Sequence, residues 1–390
     1  MIDPHVHLRD WTESDKETLV HAFYVAWRCG ISALFEMPNT NPPLTARNAV
    51  LRRIADADRA RRSFADQTAI HHKHAILGAT RNRVQSPLSA PFHGLYAGLT
   101  ADPDQVRHAA AVHGELFPRV VGCKLYAGHS TGHMGVTTVA AQSIVWRTLA
   151  SAGYRGVVAV HAEREDLLRP EIRNPDDPLT HGASRPPLAE IASVQTQLTL
   201  AEAAGFRGTL HVCHVSTPEA LEIITRERAG LPFTVTAGVT PHHLLLDSEY
   251  AAASVPGPRD LPGARGSGFT VNPPLRDRSA RERLLAAVLA GEADWIESDH
   301  APHTWADKLD GAAGLPGIPA FRCLCDYLGR TMDHDTVRRM TSTRVLEVFG
   351  IDPGLVPRNP AASGPFGREE YGLLAREYPW DPYTGGQLCR

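Results

Sequence analysis

The chain has little of what marks a secreted, membrane-spanning or nucleic-acid-binding protein. Only six cysteines occur in 390 residues (Cys29, Cys123, Cys213, Cys323, Cys325 and Cys389), too few and too scattered for a disulfide scaffold. Cys323-Leu324-Cys325 is the one close pair; with no second Cys or His pair at zinc-knuckle spacing, it reads as two small residues on a helix. A reducing cytoplasm fits that usage best. The formal charge is −3, so there is no basic surplus to hold nucleic acid or an anionic membrane. No apolar run approaches the roughly 18–20 residues that span a bilayer. The N-terminus lacks a charged region followed by an apolar one, so no secretory signal is visible. Internal repeats and low-complexity tracts are also lacking.

What is there is ordinary for a globular protein, with one exception. Hydrophobic residues make up 43% and charged residues 21%, and the length suffices to bury a large core. The exception is histidine, at 20 residues, which turns attention to metal chemistry. The first ten residues, Met1 to Asp10, carry the sharpest instance. Ile2, Val6 and Leu8 read as apolar positions of a short strand, and His5 and His7 flank Val6, so both imidazoles should point to one side. Two imidazoles at a strand end can share a divalent metal, and neutral nitrogen ligands suit zinc. His72-Lys73-His74 is the kind of pair that chance supplies about once at this composition.

Strand-like runs are expected at Ile2–Leu8, Ile31–Met37, Ile70–Leu77, Val120–Tyr126, Val157–His161, Thr209–Val215, Phe233–Val239 and Trp295–Asp299. Helix-like stretches lie between them, at Lys16–Cys29, Ala46–Ala60, Asp102–Leu116, Thr138–Ala152, Leu188–Ala204, Pro218–Arg228 and Arg281–Ala290. Strict alternation predicts an α/β fold with a parallel sheet, and eight units predict a (β/α)8 barrel. An open doubly wound sheet is the alternative, but no Gly-x-Gly-x-x-Gly follows any strand. Residues 168–187 and 250–268 form long loops that would sit on the catalytic face as candidate lids. Helical patterns continue at Phe321–Thr331 and Thr336–Phe349, and residues 351–390 form a tail with little periodicity. The expected division is therefore a barrel with C-terminal helices over 1–350 and a tail over 351–390.

Parallel barrels carry their active sites at the C-terminal strand ends. Those ends hold His5 and His7, Lys124, His161, His211 and His214, and Asp299, His300 and His303. One such histidine alone is more often a satisfied core or rim imidazole, but convergence of all of them on one mouth points to a site. Lys124, closing an apolar strand, is either neutralised by a nearby carboxylate or converted by carbon dioxide to an anionic carbamate that can bridge two cations.

Seven motifs run in order along most of the chain: Asp3-Pro4-His5-Val6-His7-Leu8-Arg9-Asp10, Met37-Pro38-Asn39-Thr40-Asn41-Pro42-Pro43, Lys124-Leu125-Tyr126, His161-Ala162-Glu163, His211-Val212-Cys213-His214-Val215-Ser216-Thr217, Asn272-Pro273-Pro274-Leu275-Arg276 and Ser298-Asp299-His300-Ala301-Pro302-His303. With them the chain resembles the dihydroorotases of the cyclic-amidohydrolase superfamily. That resemblance implies a metal-dependent (β/α)8 barrel and reversible ring closure of N-carbamoyl-L-aspartate to (S)-dihydroorotate in pyrimidine biosynthesis. It implies that His5, His7 and Asp299 hold one zinc, that His161 and His214 hold a second, and that carbamylated Lys124 bridges them. His214 is preferred to His211, which lies three residues earlier and should face the other way. A metal-bridging hydroxide would attack the ring amide, with Asp299 as general acid and base.

Arg9 suits the substrate carboxylate, since a guanidinium fork matches one; the alternative is a surface ion pair with Asp10 or Asp15. The resemblance adds Asn39 and His303 at that carboxylate and Asn272 at the ring. The doublet His242-His243 is either support for the site or plain structure. Many relatives of this kind carry a β-sandwich whose first half precedes the barrel; here strand one begins at residue 2, so that half is expected to be absent, while residues 378–383 faintly resemble the second half. Rival readings are a hydantoinase, dihydropyrimidinase or allantoinase, whose substrates lack the carboxylate, and an inactive scaffold subunit, which should lack ligands. The expected partner is a small-molecule substrate, with homo-oligomers or association with other pyrimidine enzymes also compatible.

Overall fold

The structure, a computed structural model, describes residues 1–75, 89–130, 132, 134–174, 177, 179–254, 267–359, 366, 370, 374–378, 380, 382 and 383. Strands and helices alternate: β1 (Ile2–Val6), α1 (Leu19–Arg28), β2 (Ala33–Glu36), α2 (Arg47–Ala75), β3 (Phe92–Gly98), α3 (Pro103–Leu116), β4 (Val120–Tyr126), α4 (Val139–Ser151) and β5 (Val157–His161). Then come α5 (Leu179–Ser184), α6 (Pro187–Ala203), β6 (Thr209–Val212), α7 (Pro218–Glu227), β7 (Thr234–Val239), α8 (Pro241–Leu245), α9 (Ser248–Ala253), α10 (Arg278–Leu289) and β8 (Trp295–Ile296). Four more helices follow: α11 (Trp305–Leu309), α12 (Gly317–Thr331), α13 (His334–Arg338) and α14 (Arg344–Phe349).

All eight strands pair in parallel and in sequence order, and a bridge from Val6 to His300 joins the last to the first. This is the expected (β/α)8 barrel. The crossovers are punctuated by side-chain caps: Thr18, Asp102, Thr138, Thr217 and Asp277 each accept from an amide in the first turn of α1, α3, α4, α7 and α10. Among the described residues no helix is long and apolar enough to cross a membrane.

The third strand lies elsewhere than expected. Residues through Ala75 continue α2, and β3 is Phe92–Gly98. Two glycines disguise that strand, and packing requires both. A Cβ on Gly94 would collide with Val121, and one on Gly98 with Met134. The helix expected over 336–349 is broken by a wide turn at Arg339–Thr343. In the 168–187 loop stands α5, and of the 250–268 loop residues 255–266 lie outside the described residues. Two short 3-10 turns, Pro353–Leu355 and Ala375–Glu377, occur after residue 350, and Tyr378, Trp380 and Tyr383 are buried.

Two apolar shells give the barrel its polarity. Leu34, Leu95, Leu125, Val160 and Leu210 face the helices. Inside, Ile2, Phe35, Phe92, Tyr96, Val157 and Trp295 fill the end where the strands begin. Phe349 plugs that end, its ring 5.1 Å from Phe35 and 5.9 Å from Trp295. Polar side chains are left to the opposite end.

One buried ion pair fixes the exit from β1. Glu36, the last residue of β2, takes the Arg53 Nε at 2.9 Å and the His93 Nε2 at 2.9 Å, all three groups fully buried. Arg53 also donates through Nη2 to the Arg9 carbonyl at 2.8 Å. It thereby braces Arg9, Asp10 and Trp11, three successive non-glycine residues with φ of 49°, 67° and 53°. Burial alone would raise the Glu36 carboxyl; the Arg53 guanidinium and His93 outweigh it and hold it down to about 2. Its folded pKa lies below the unfolded value of about 4.3, so this stabilisation is complete above about pH 5 and fades as pH falls toward 2. Arg53→Met should cost about 3–5 kcal/mol in denaturant unfolding at neutral pH, because it strands a buried carboxylate. The variant should also lose much of the wild-type decline in stability across that acid window.

Candidate metal centre and substrate cleft

Five side chains from four strand ends meet at the polar mouth. His5 lies in β1 and His7 just past it, and both rings turn toward Asp299, which follows β8. His5 Nε2 is 3.3 Å and His7 Nε2 3.0 Å from the same oxygen, Asp299 Oδ1. These three groups offer ligand atoms all within 4.8 Å of one another. His161 ends β5, and its Nδ1 lies 3.2 Å from Nε2 of His214, two residues beyond β6. The His5 and His214 rings, 5.1 Å apart, join the two groups. His214 and Asp299 have φ of 38° and 46°, the left-handed region that non-glycine residues enter at a cost. Strain therefore sits on two of the five converging groups.

The far side of each ring decides whether the near side suits a cation. His5 Nδ1 faces Glu297 at 3.3 Å, His7 Nδ1 faces the Asn39 Oδ1 at 2.7 Å, and His161 Nε2 faces Glu163 at 3.0 Å. An acceptor at the far nitrogen takes the ring proton and leaves a lone pair on the near one, the arrangement typical of metal-bound imidazole. Glu163 is itself held by Arg185. Burial alone would raise the Glu163 carboxyl, but Arg185 and the bond from His161 keep it well below the usual carboxylate range. The donor set, four imidazoles and a carboxylate, fits zinc.

Lys124 in β4 is fully buried beneath the cleft. Its Nζ is 3.2 Å from the Cys213 Sγ and 5.0 Å from the centre of the Tyr126 ring. Among the described residues no carboxylate forms an ion pair with it, so the neutralising-acid alternative is not what the fold supplies.

Above the histidines, a cleft is lined by Arg9, Asn39, Asn272 and Asp299. Arg9 is only 3% exposed, so it is not the surface ion-pair residue of the alternative reading, and its nearest carboxylate is Glu13 at 3.9 Å. Nε donates to the Pro302 carbonyl at 3.0 Å, and Nη2 lies 3.0 Å from the His303 Nε2. Burial and the Arg9 charge push His303 far below its ordinary pKa, and the same Nε2 also lies 3.1 Å from the Ala313 carbonyl. His303 thus stands behind Arg9 rather than in the cleft wall. Asn39 serves His7 as well as lining the cleft. Among the described residues the Asn272 Oδ1 is buried without a hydrogen-bond partner.

His211 does not face away from the site as its spacing suggested. Its Nε2 lies 3.0 Å from Glu297 Oε2, inside the barrel. The left-handed backbone at His214 turns that ring inward too, which strand alternation does not anticipate. Sequence reasoning assigned no role to Glu163 or Glu297, although each stands two residues from a candidate ligand. His243 is held by Thr240 Oγ1 at 2.8 Å and the Pro273 carbonyl at 3.0 Å, whereas both His242 nitrogens are buried and unpartnered among the described residues.

No family model matches the chain. Curated relatives do. A dihydroorotase of Thermus aquaticus is 32% identical over 392 residues, covering 98% of this chain and 80% of the relative. One of Pyrococcus abyssi is 30% identical over 404 residues, covering 100% and 78%. One of Thermococcus kodakarensis is 34% identical over 318 residues, where the match takes in 82% of this chain and only 59% of the longer relative. Among solved structures, an L-hydantoinase of Arthrobacter aurescens superposes with a TM-score of 0.70 at 24% identity, covering 90% of this chain and 71% of that one. A dihydroorotase of Saccharomyces cerevisiae in complex with 5-fluoroorotic acid gives 0.64 at 16%, covering 91% and 85%, a likeness of fold alone. With near full-length identity of this order to curated relatives, the chain belongs to the dihydroorotase family of cyclic amide hydrolases.

Proposed function

We propose that this protein catalyses the reversible cyclisation of N-carbamoyl-L-aspartate to (S)-dihydroorotate, a step of pyrimidine biosynthesis, in the cytoplasm. The observation that carries the reading is the buried Arg9 guanidinium lining the same cleft as His5, His7 and Asp299. Hydantoin and allantoin have no carboxylate for it to meet, whereas dihydroorotate has one.

His5, His7 and Asp299 would hold one zinc, His161 and His214 the other, and Lys124, carbamylated, would bridge them. When bound, zinc supplies a Lewis acid and brings the pKa of water from 15.7 to about 7. The chain's own groups do the rest. The Arg9 fork, backed by His303 and flanked by Asn39, grips the substrate carboxylate and fixes which ring face meets the histidines. Asn272 offers its free carbonyl oxygen to a ring N–H. Asp299 takes a proton from the attacking water and returns it to the leaving ring nitrogen; in ring closure the proton travels the opposite way. The low exposure of Arg9 and Asp299, 3% and 8%, keeps bulk water from competing for these charges. The same reading is compatible with a homo-oligomer or with association with other pyrimidine enzymes.

The purified protein, assayed with its zinc content measured on the same sample, should hydrolyse dihydroorotate far faster than hydantoin or allantoin. Preference for either of the latter would overturn the assignment. Arg9→Ala should raise KM for dihydroorotate about ten- to a hundredfold, the loss of charge-assisted hydrogen bonds, with zinc content retained. Asp299→Ala should lower kcat by at least about 10²-fold even in molecules that keep a zinc ion.

A further inference from the structure

The group that touches most of the site's scaffold is Glu297, fully buried directly after β8. Its two oxygens divide their work. Oε2 receives the His211 Nε2 at 3.0 Å and the Trp295 Nε1 at 3.1 Å. Oε1 receives the backbone N–H of His214 at 2.6 Å and faces His5 Nδ1 at 3.3 Å. His211 is steadied in turn by the Thr236 Oγ1 at 3.1 Å. On β7, Gly238 leaves the space that the carboxylate occupies; a Cβ there would collide with both oxygens. Residues of β1, β6, β7 and β8 are thus arranged around a single anion. A buried carboxylate is costly unless its lone pairs are filled, and here four donors from three strand ends surround it.

We propose that Glu297 is a positioning residue that sets one ligand in each half of the metal centre. The proposal rests on the zinc reading above. Toward His5, the carboxylate holds the ring proton on Nδ1, which leaves the Nε2 lone pair facing His7 and Asp299. Toward His214, it holds the amide of a residue strained into the left-handed region, and that conformation is what aims the ring at His161. His211 and Trp295 anchor the far oxygen, so the near oxygen cannot swing away. Glutamine in its place keeps the shape but removes the charge and puts an NH₂ where one of the two acceptors stood. Either His5 or the His211–Trp295 anchor then loses its partner.

The test is zinc affinity by competition with a chromophoric chelator, together with the visible spectrum of the cobalt-substituted protein. Glu297→Gln should weaken zinc binding about 10–100-fold, the usual effect of removing a partner of a metal-bound histidine, and should shift the cobalt bands. Gly238→Ala displaces the carboxylate without removing it and should weaken zinc binding in the same direction, which keeps the test decisive if the glutamine variant does not fold. Trp146→Phe, which removes a buried bond to Gln197 outside the barrel, controls for simple destabilisation and should leave zinc affinity and the cobalt spectrum unchanged. Wild-type zinc affinity and spectrum in both Glu297→Gln and Gly238→Ala would overturn the proposal. A wild-type protein that takes up no zinc would overturn it together with the metal reading, a separate and recognisable outcome.

Discussion

The architecture of the mouth follows from one constraint: an imidazole that presents a lone pair on one nitrogen must keep its proton on the other, against an acceptor. At His5, His7 and His161 the far nitrogen is assigned to Glu297, Asn39 and Glu163. The near nitrogens are turned toward a shared space containing the Asp299 oxygen and His214. Without those acceptors each ring would be free to flip and to move its proton, and the shared space would present N–H groups as readily as lone pairs. The arrangement is expensive, because two of the three acceptors, Glu163 and Glu297, are themselves buried carboxylates. Arg185 compensates Glu163, and His211 with Trp295 compensates Glu297. Polar order therefore spreads outward from the mouth, each buried group requiring the next.

The same reasoning explains why the barrel is apolar at one end and polar at the other. Phe349, Phe35 and Trp295 close the end where the strands begin, so rigidity there comes from packing. Strain is confined to the opposite end. The non-glycine residues held at positive φ among those described are Arg9, Asp10, Trp11, His214 and Asp299, and each lies just past the C-terminal end of a strand. A strained backbone persists only where neighbours over-determine it. Arg53 does this for the Arg9 turn, and Glu297 for His214.

Much of this was legible in the sequence because the barrel's repeat is coarse and its motifs lie at strand ends. Seven of the eight strands and the convergence of His5, His7, His161, His214 and Asp299 follow from apolar runs ending in chemistry-bearing residues. The third strand was not legible. Its side chains had to be small where β2 and β4 crowd it, and glycine carries no β signal, while Ile70–Leu77 offered a strand-like run whose described part, through Ala75, continues α2. That His211 turns inward together with His214 was illegible for another reason. Alternation assumes extended backbone, and one left-handed residue breaks the parity. Glu163 and Glu297 were overlooked because a carboxylate near a histidine has no pattern of its own; only coordinates reveal which ring it faces.

The cleft wall that carries Ala301, Ala313 and Gly314 is secured from α11 and from the tail. Lys308, fully buried, donates to the carbonyls of Thr270, Ala312 and Gly314 at 2.8, 2.7 and 2.9 Å, so the wall opposite Arg9 is bolted by one ammonium. Trp380 lies 5.4 Å from that ammonium and donates its indole N–H to the His303 carbonyl at 3.1 Å. Tyr378 reaches Glu17 at 2.9 Å, and Glu17 in turn holds His300 at 2.8 Å. The segment from His300 to Gly314 is thus clamped from its outer side by residues beyond the last barrel helix. The histidine cluster is tied together across the barrel interior, whereas this wall is tied to α11 and to Tyr378 and Trp380. A change at Tyr378 or Trp380 therefore bears on this wall before it bears on the histidine cluster. The two parts of the mouth thus rest on different supports, and one can change while the other keeps its geometry.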